Sequence, residues 1–160
     1  MKPSAFKYVR VASVEETLSA LSEYRGEAKI LAGGQSLVPM MNFRLAQPAA
    51  LIDINPLKEL DYVRVEDGWL HVGARTRQRT LEQSTQVKEN CPLLAEAVKW
   101  IGHPQTRNRG TVGGSLVHGD STAELVLVAT LLDAQIMIQK KGSSRTIRAA
   151  DFFEDLMTTH

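Results

Sequence analysis

"AGGQSLVPMM", residues 32–41, follows a short apolar run, "AKIL" (28–31), and leads into residues that form helices well. A strand running into Gly33-Gly34 and then into "SLVPMMNFRL" (36–45) predicts a strand–loop–helix turn, with Pro39 tolerated in the first helical turn. Glycine permits two things here that other residues do not: positive φ, and close approach of another group to the backbone. Downstream, "GTVGGSL" (110–116) repeats the order of apolar residue, Gly-Gly, Ser and Leu. Two such turns suit one elongated ligand held at two points.

Working outward, "FKYVRV" (6–11) and "ALIDI" (50–54) read as strands. Ser13 opens a helix, with Glu16 completing a capping box and Val14, Leu18 and Leu21 forming an apolar stripe. The order β-α-β-loop-helix-β predicts a small parallel sheet, and residues 1–55 are expected to form one lobe. Residues 56–160 read differently. "YVRVEDGWLHVGA" (62–74) alternates around Asp67-Gly68, the pair a type I′ hairpin prefers. "PLLAEAVKWI" (92–101) carries a helical stripe, and "GHPQTRNRGTVGGS" (102–115) reads as a polar, glycine-rich loop. Ser121 is expected to cap a nearly all-apolar helix buried on most sides, and "QIMIQ" and "RTIRA" flank Lys141-Gly142 as a further hairpin. The second lobe is therefore expected to be an antiparallel sheet with helices, and the fold class α/β (α+β).

Bulk properties exclude several classes. With 43% hydrophobic and 23% charged residues, the chain has the composition of a globular protein. A net charge of +1 gives no field for nucleic acid or an anionic membrane, so neither is expected as a partner. The single cysteine, Cys91, excludes an internal disulfide and any cysteine-only zinc or iron–sulfur site built from this chain alone. "MKPSAFKYVR" lacks the apolar core of a signal peptide, and "LVLVATLL" (125–132) falls short of the roughly 20 residues a membrane helix needs. A cytoplasmic location is expected.

The chemistry points to anion binding. A glycine loop before a helix offers unpaired N–H groups, which hold a phosphate well, and Gln35 and Ser36 could add side-chain donors. Gly-Gly alone also serves as a plain turn. Thr111 and Ser115 place hydroxyls beside Gly113-Gly114. Gly33→Val and Gly113→Val are thus expected to block a ligand while leaving much of the fold intact. No G-x-x-x-x-G-K-[ST] and no G-x-G-x-x-G after a strand occurs, which disfavours ATP hydrolysis and a Rossmann cofactor. His71, His103 and His118 lack metal-ligand spacing, and no Ser-His-Asp elbow stands out. Arg75, Arg77 and Arg79, with Arg107 and Arg109, form two basic clusters that are either solvated or paired to a cofactor phosphate or a partner subunit. Glu124, three residues after Ser121, is either a capping-box glutamate or an acceptor for ligand hydroxyls.

The segments "KILAGGQSLVPMMNFRLAQP", "LIDI", "VGARTRQRTLEQS", "IGHPQTRNRGTVGGSLVHGDSTAELVLVATLLDA" and "ADFFEDLMTT", in this order, strongly resemble the FAD-binding medium subunit of the molybdenum hydroxylases. Aerobic carbon monoxide dehydrogenase and the flavin domain of xanthine dehydrogenase exemplify that family. The resemblance implies a two-lobed fold of the p-cresol methylhydroxylase/vanillyl-alcohol oxidase type, with FAD between the lobes. It implies a first pyrophosphate loop at Ala32, Gly33, Gly34, Gln35 and Ser36, flanked by Ile30, Leu31 and Leu37. It implies a second at Thr111, Val112, Gly113, Gly114 and Ser115, an apolar cofactor contact at Ile101 and an acidic residue facing the ribityl chain at Glu124. "HGDS" (118–121) stands where related proteins often carry a "HADP"-like run.

The resemblance further implies electron transfer from two [2Fe–2S] clusters on a small subunit, reduced by a molybdenum–pterin centre on a large subunit, through FAD to a terminal acceptor. No catalytic acid, base or nucleophile and no metal ligand is expected in this chain. The family's C-terminal domain, which follows "DFF…TT", is expected to be absent, as in a truncated subunit. Alternatives of other classes are a flavin-free nucleotide-binding module and a stand-alone FAD-dependent reductase of the same fold.

Overall fold

The computed structural model describes residues 1–160. Three parallel strands, β1 (Lys7–Arg10), β2 (Ala28–Leu31) and β3 (Ala50–Asp53), form a sheet in the order β1-β3-β2. Every residue of β3 is buried, as expected of a central parallel strand covered on both faces. Ile52 is fully buried, worth about 1.5–3 kcal/mol of apolar transfer, and it packs with Val11, Ala28, Ala50, Ile54 and Leu57 into one core. Register aligns Arg10 and Leu31 with Asp53, so all three strands end level. The loops beyond carboxyl ends of parallel strands are where α/β proteins hold ligands.

Helix α1 (Val14–Glu23) crosses between β1 and β2. Its cap is a variant of the expected box. Ser13 Oγ accepts from Glu16 N at 3.1 Å, while Glu16 Oε2 accepts from Ala12 N at 2.7 Å, one residue earlier than the standard motif. Helix α2 (Leu37–Asn42) follows the first glycine loop with Pro39 in its first turn.

Residues 56–160 contain more helix than the sequence indicates. After the hairpin β4 (Val63–Glu66) and β5 (Trp69–Val72) come α3 (Gln78–Gln83), α4 (Thr85–Asn90), α5 (Pro92–Ala97), α6 (Pro104–Arg109), α7 (Val112–His118) and α8 (Glu124–Leu131). Asp67 and Gly68 have φ of 51° and 80°, the type I′ signature. A second core gathers Leu81, Val87, Ala95, Val98 and Leu125. The chain ends with the hairpin β6 (Gln135–Lys140) and β7 (Ser143–Arg148), then α9 (Ala149–Phe152), β8 (Phe153–Asp155) and β9 (Thr158–Thr159).

Three expectations are corrected. Residues 102–115 are not one loop. Pro104 starts α6 at a position that needs no N–H, and Thr111 Oγ1 accepts from Gly114 N at 3.2 Å, capping α7 despite its two glycines. Secondly, Ser121 does not cap the apolar helix. Asp120 Oδ1 takes both Thr122 N and Thr122 Oγ1, an Asx-type turn that delays the helix until Glu124 behind an Ala123 cap. That helix also leaves Leu127 and Leu131 65% and 69% exposed, so one apolar face is open. Thirdly, the antiparallel strands form three separate two-stranded ladders and not one sheet. Hairpin turns are local signals, whereas joining hairpins needs contacts across the intervening helices.

Candidate functional site

Residues 33–37 form a cradle of backbone donors. None of the N–H groups of Gly33, Gly34, Gln35, Ser36 and Leu37 donates to the rest of the chain. Two of the carbonyls are committed elsewhere, because Gly34 O and Ser36 O accept from Val38 and Met40 in the first turn of α2. Gly34 adopts φ of +72°, the left-handed conformation that glycine takes without strain and that anion-binding turns use. Gln35 folds its amide back onto Gly33 O at 3.2 Å. Ile30 and Ser36 are exposed, and Leu31, Ala32 and Leu37 half-buried, around the cradle.

The rear wall is protein. A Cβ at Gly33 would stand 2.5 Å from Arg109 O and 3.0 Å from Gly110 Cα. Gly33 is therefore glycine because the backbone before the second loop lies against it. This corrects the expectation that Gly33→Val would spare the fold.

Around that seam runs a polar network. Asn55 Nδ2 donates to Ala32 O at 2.9 Å and to Asp53 Oδ1 at 2.6 Å, and Asn55 Oδ1 accepts from Arg77 Nη2 at 2.5 Å. Arg77 Nη1 in turn donates to Arg109 O. Asp53, at the end of β3, also accepts from Asn55 N and the Tyr8 hydroxyl. Burial pushes the Asp53 carboxyl up, but these hydrogen bonds, with the Arg10 charge, outweigh it and hold Asp53 below the usual aspartate value. Burial and the neighbouring Arg109 and Arg75 charges lower the Arg77 pKa.

The second glycine loop is built differently from the first. Val112 N, Gly113 N and Ser115 N donate to Thr76 O, Ala74 O and Thr111 O, and Gly114 N goes to the Thr111 cap. Thr111 N alone among residues 110–115 has no acceptor in the chain. Gly113 is pressed on Ala74, whose Cβ and carbonyl oxygen each lie 2.8 Å from where its own Cβ would be. The two loops meet through Gly33, Arg109 and Gly110, yet one presents donors and the other is largely consumed by docking.

Glu124 opens α8 half-buried, with no side-chain hydrogen bond or ion pair, on the same face as exposed Leu127 and Leu131. Ile101 packs part of its side chain on the second core and offers its carbonyl to Arg107. The arginines separate into two kinds. Arg75 pairs with Asp61, and Arg79 and Arg107 both pair with Glu82. Arg77 and Arg109 form no ion pair; both Arg77 Nη atoms are given to Asn55 and to the Arg109 carbonyl, with the Asp61 and Asp53 charges further off.

Asn55 was not legible in the sequence as part of this network, and Arg77 only as one of the clustered arginines. The sequence shows only an Asn-Pro turn after a strand and one arginine among several. No three His, Cys, Asp or Glu side chains stand together. Clefts between α1 and the β6–β7 turn, and between α8 and residues 153–156, lie away from the glycine loops.

Five consecutive backbone N–H groups without an acceptor in the chain are the kind of donor set that anions bind. Comparison with known proteins shows the family. The family profile described as "FAD binding domain in molybdopterin dehydrogenase" matches residues 4–160. The 6-hydroxypseudooxynicotine dehydrogenase complex subunit alpha of Paenarthrobacter nicotinovorans is 45% identical over 160 residues, covering 100% of this chain and 53% of that protein. The caffeine dehydrogenase subunit beta of Pseudomonas sp. (strain CBB1) is 40% identical over 155 residues, 96% of this chain and 52% of that protein. A solved structure of carbon monoxide dehydrogenase from Hydrogenophaga pseudoflava matches with a TM-score of 0.96 at 41% identity, covering 99% of this chain and 55% of that one. The chain thus spans about half the length of the curated relatives it matches. By profile, identity and fold alike, it belongs to the family of FAD-binding domains of molybdopterin dehydrogenases.

Proposed function

We propose that this chain is the FAD-holding part of an electron-transfer subunit of a molybdenum hydroxylase. The observation that carries the proposal is the run of five unpaired backbone N–H groups at residues 33–37, closed from behind by Arg109 and Gly110. These amides hold the FAD pyrophosphate, with Ala32 completing the loop and Thr111 N and the Ser115 hydroxyl approaching from the other side. Val112, Gly113 and Gly114 set that second wall by docking on residues 74–76. Glu124 accepts hydrogen bonds from ribityl hydroxyls, and Ile30, Leu31, Leu37 and Ile101 supply apolar contacts. Residues 1–55 and 56–160 act as the two lobes that enclose the cofactor.

When bound, the flavin supplies the redox chemistry, and the protein supplies position and electrostatics. The partners are a large molybdenum–pterin subunit and a small [2Fe–2S] subunit, because one cysteine cannot ligate a cysteine-held cluster. Electrons leave for a terminal acceptor in the cytoplasm. No helix is long and apolar enough to cross a membrane.

The test is a visible absorption spectrum followed by fluorescence titration with FAD and FMN. Saturable binding of FAD in preference to FMN is expected, because FMN lacks the pyrophosphate. Equal affinity for both, or for neither, overturns the assignment of the cradle.

A further inference from the structure

Asn55 and Arg77 lie outside every motif that marks the family's glycine loops, yet between them they touch both sides of the seam. Asn55 Nδ2 holds Ala32 O at 2.9 Å, immediately before the cradle, and Asn55 Oδ1 takes Arg77 Nη2 at 2.5 Å. Arg77 Nη1 then holds Arg109 O, the same carbonyl on which Gly33 rests. Asp53 fixes the Asn55 side chain from below, and its backbone N–H as well. Resting on the FAD reading above, we propose that Asn55 and Arg77 are positioning residues, a clasp that holds the 33–37 cradle against residues 109–111 in the geometry a diphosphate requires.

Three independent features support the clasp. Gly33 touches only backbone across the seam, so packing alone gives no directional hold there. The first loop has no backbone hydrogen bond to the second, so side chains must supply the connection. Arg77 is half-buried and in no ion pair, the Asp61 and Asp53 charges acting on it only from further off, so its fork is left for Asn55 and Arg109. Its planar fork is what allows one residue to hold Asn55 and Arg109 together, which a lysine cannot do.

The experiment uses the 160-residue chain and the variants Asn55→Ala, Arg77→Met and Arg77→Lys. FAD affinity is read by fluorescence quenching, thermal stability by circular dichroism, and amide exchange by mass spectrometry. Asn55→Ala and Arg77→Met are expected to weaken FAD at least about tenfold, with Arg77→Lys intermediate. Exchange in the unliganded variants should quicken at Val38 and Met40, whose N–H groups bond to Gly34 O and Ser36 O, and at Gly110 and Val112, and nowhere else. Arg77→Lys keeps the charge and serves as the variant whose folding is least at risk. Wild-type affinity in Arg77→Met and Asn55→Ala overturns the clasp and leaves the FAD assignment standing. Loss of affinity accompanied by general acceleration of exchange also overturns it, since that outcome is a folding defect. A wild-type chain that binds neither FAD nor inorganic pyrophosphate overturns the FAD assignment and the clasp together.

Discussion

Gly33 and Arg109 are in backbone contact: a Cβ at residue 33 would lie 2.5 Å from the Arg109 carbonyl oxygen. Seventy-six positions of sequence separate them, and their meeting makes one site from two glycine loops. Gly33→Ala should therefore destabilise the unliganded protein by about 1–3 kcal/mol, as overpacking against backbone does. Gly113→Ala, pressed on Ala74, should cost a similar amount. Gly68→Ala meets nothing within 4 Å and strains only its φ of +80°, so about 1 kcal/mol and no change in FAD affinity are expected. Urea denaturation checks all three, and a Gly33→Ala protein as stable as wild type would remove the close-approach account.

Arg107 and Arg79 share the carboxylate of Glu82 with unequal consequences. The Arg107 side chain is 8% exposed and also donates to Ile101 O and Gly102 O, orienting the turn that leads into α6. Removing one partner of such a buried pair costs about 3–5 kcal/mol, so Arg107→Met should approach the limit of folding. Arg79, 38% exposed, should cost at most about 1 kcal/mol on change to alanine. Denaturant midpoints of the two variants would expose the error if they matched.

Stability should fall with acid in a window set by Asp53. Its carboxyl is held below the ordinary aspartate value of 3.8, so the folded state binds its proton less readily than the unfolded chain. That contribution is complete above pH 3.8 and drains away as pH falls through the depressed folded value. The Tyr8 phenol is shifted the other way by its hydrogen bond to Asp53, above 10.0, so its contribution is lost as pH rises through that raised value. Melting temperature against pH should show a shallower acid limb in Asp53→Asn and a shallower alkaline limb in Tyr8→Phe. Unchanged limbs would mean that other groups control both transitions.

Glu124 has no partner in the chain, and Ala123, not Ser121, precedes the helix. Glu124→Gln, near-isosteric and breaking no hydrogen bond or ion pair, should accordingly leave the melting temperature within about 2 °C, the shift that ~0.5 kcal/mol produces. FAD affinity should drop several-fold if the carboxylate accepts ribityl hydroxyls. Intact affinity with lower stability would return the residue to a helix-terminus role.

Much of the fold was legible because its signals are local. Alternation around Asp67-Gly68, the Ser13 cap and the apolar runs at 28–31 and 50–54 each act within a few residues, and the structure forms each of them. The glycine loops were visible for the same reason, and the quoted motifs identified the family. Tertiary structure decided what those glycines are for. Whether Gly33 accommodates a ligand or a backbone depends on residue 109, which composition and spacing do not place. The same holds for residues 102–115, whose helices depend on the Arg107–Glu82 ion pair and on docking to residues 74–78. The Asn55–Arg77 clasp likewise exists only because four separate segments, at residues 32, 55, 77 and 109, converge. Local sequence sets backbone preference and capping, whereas close packing and buried charge are settled by contacts between residues far apart in the chain.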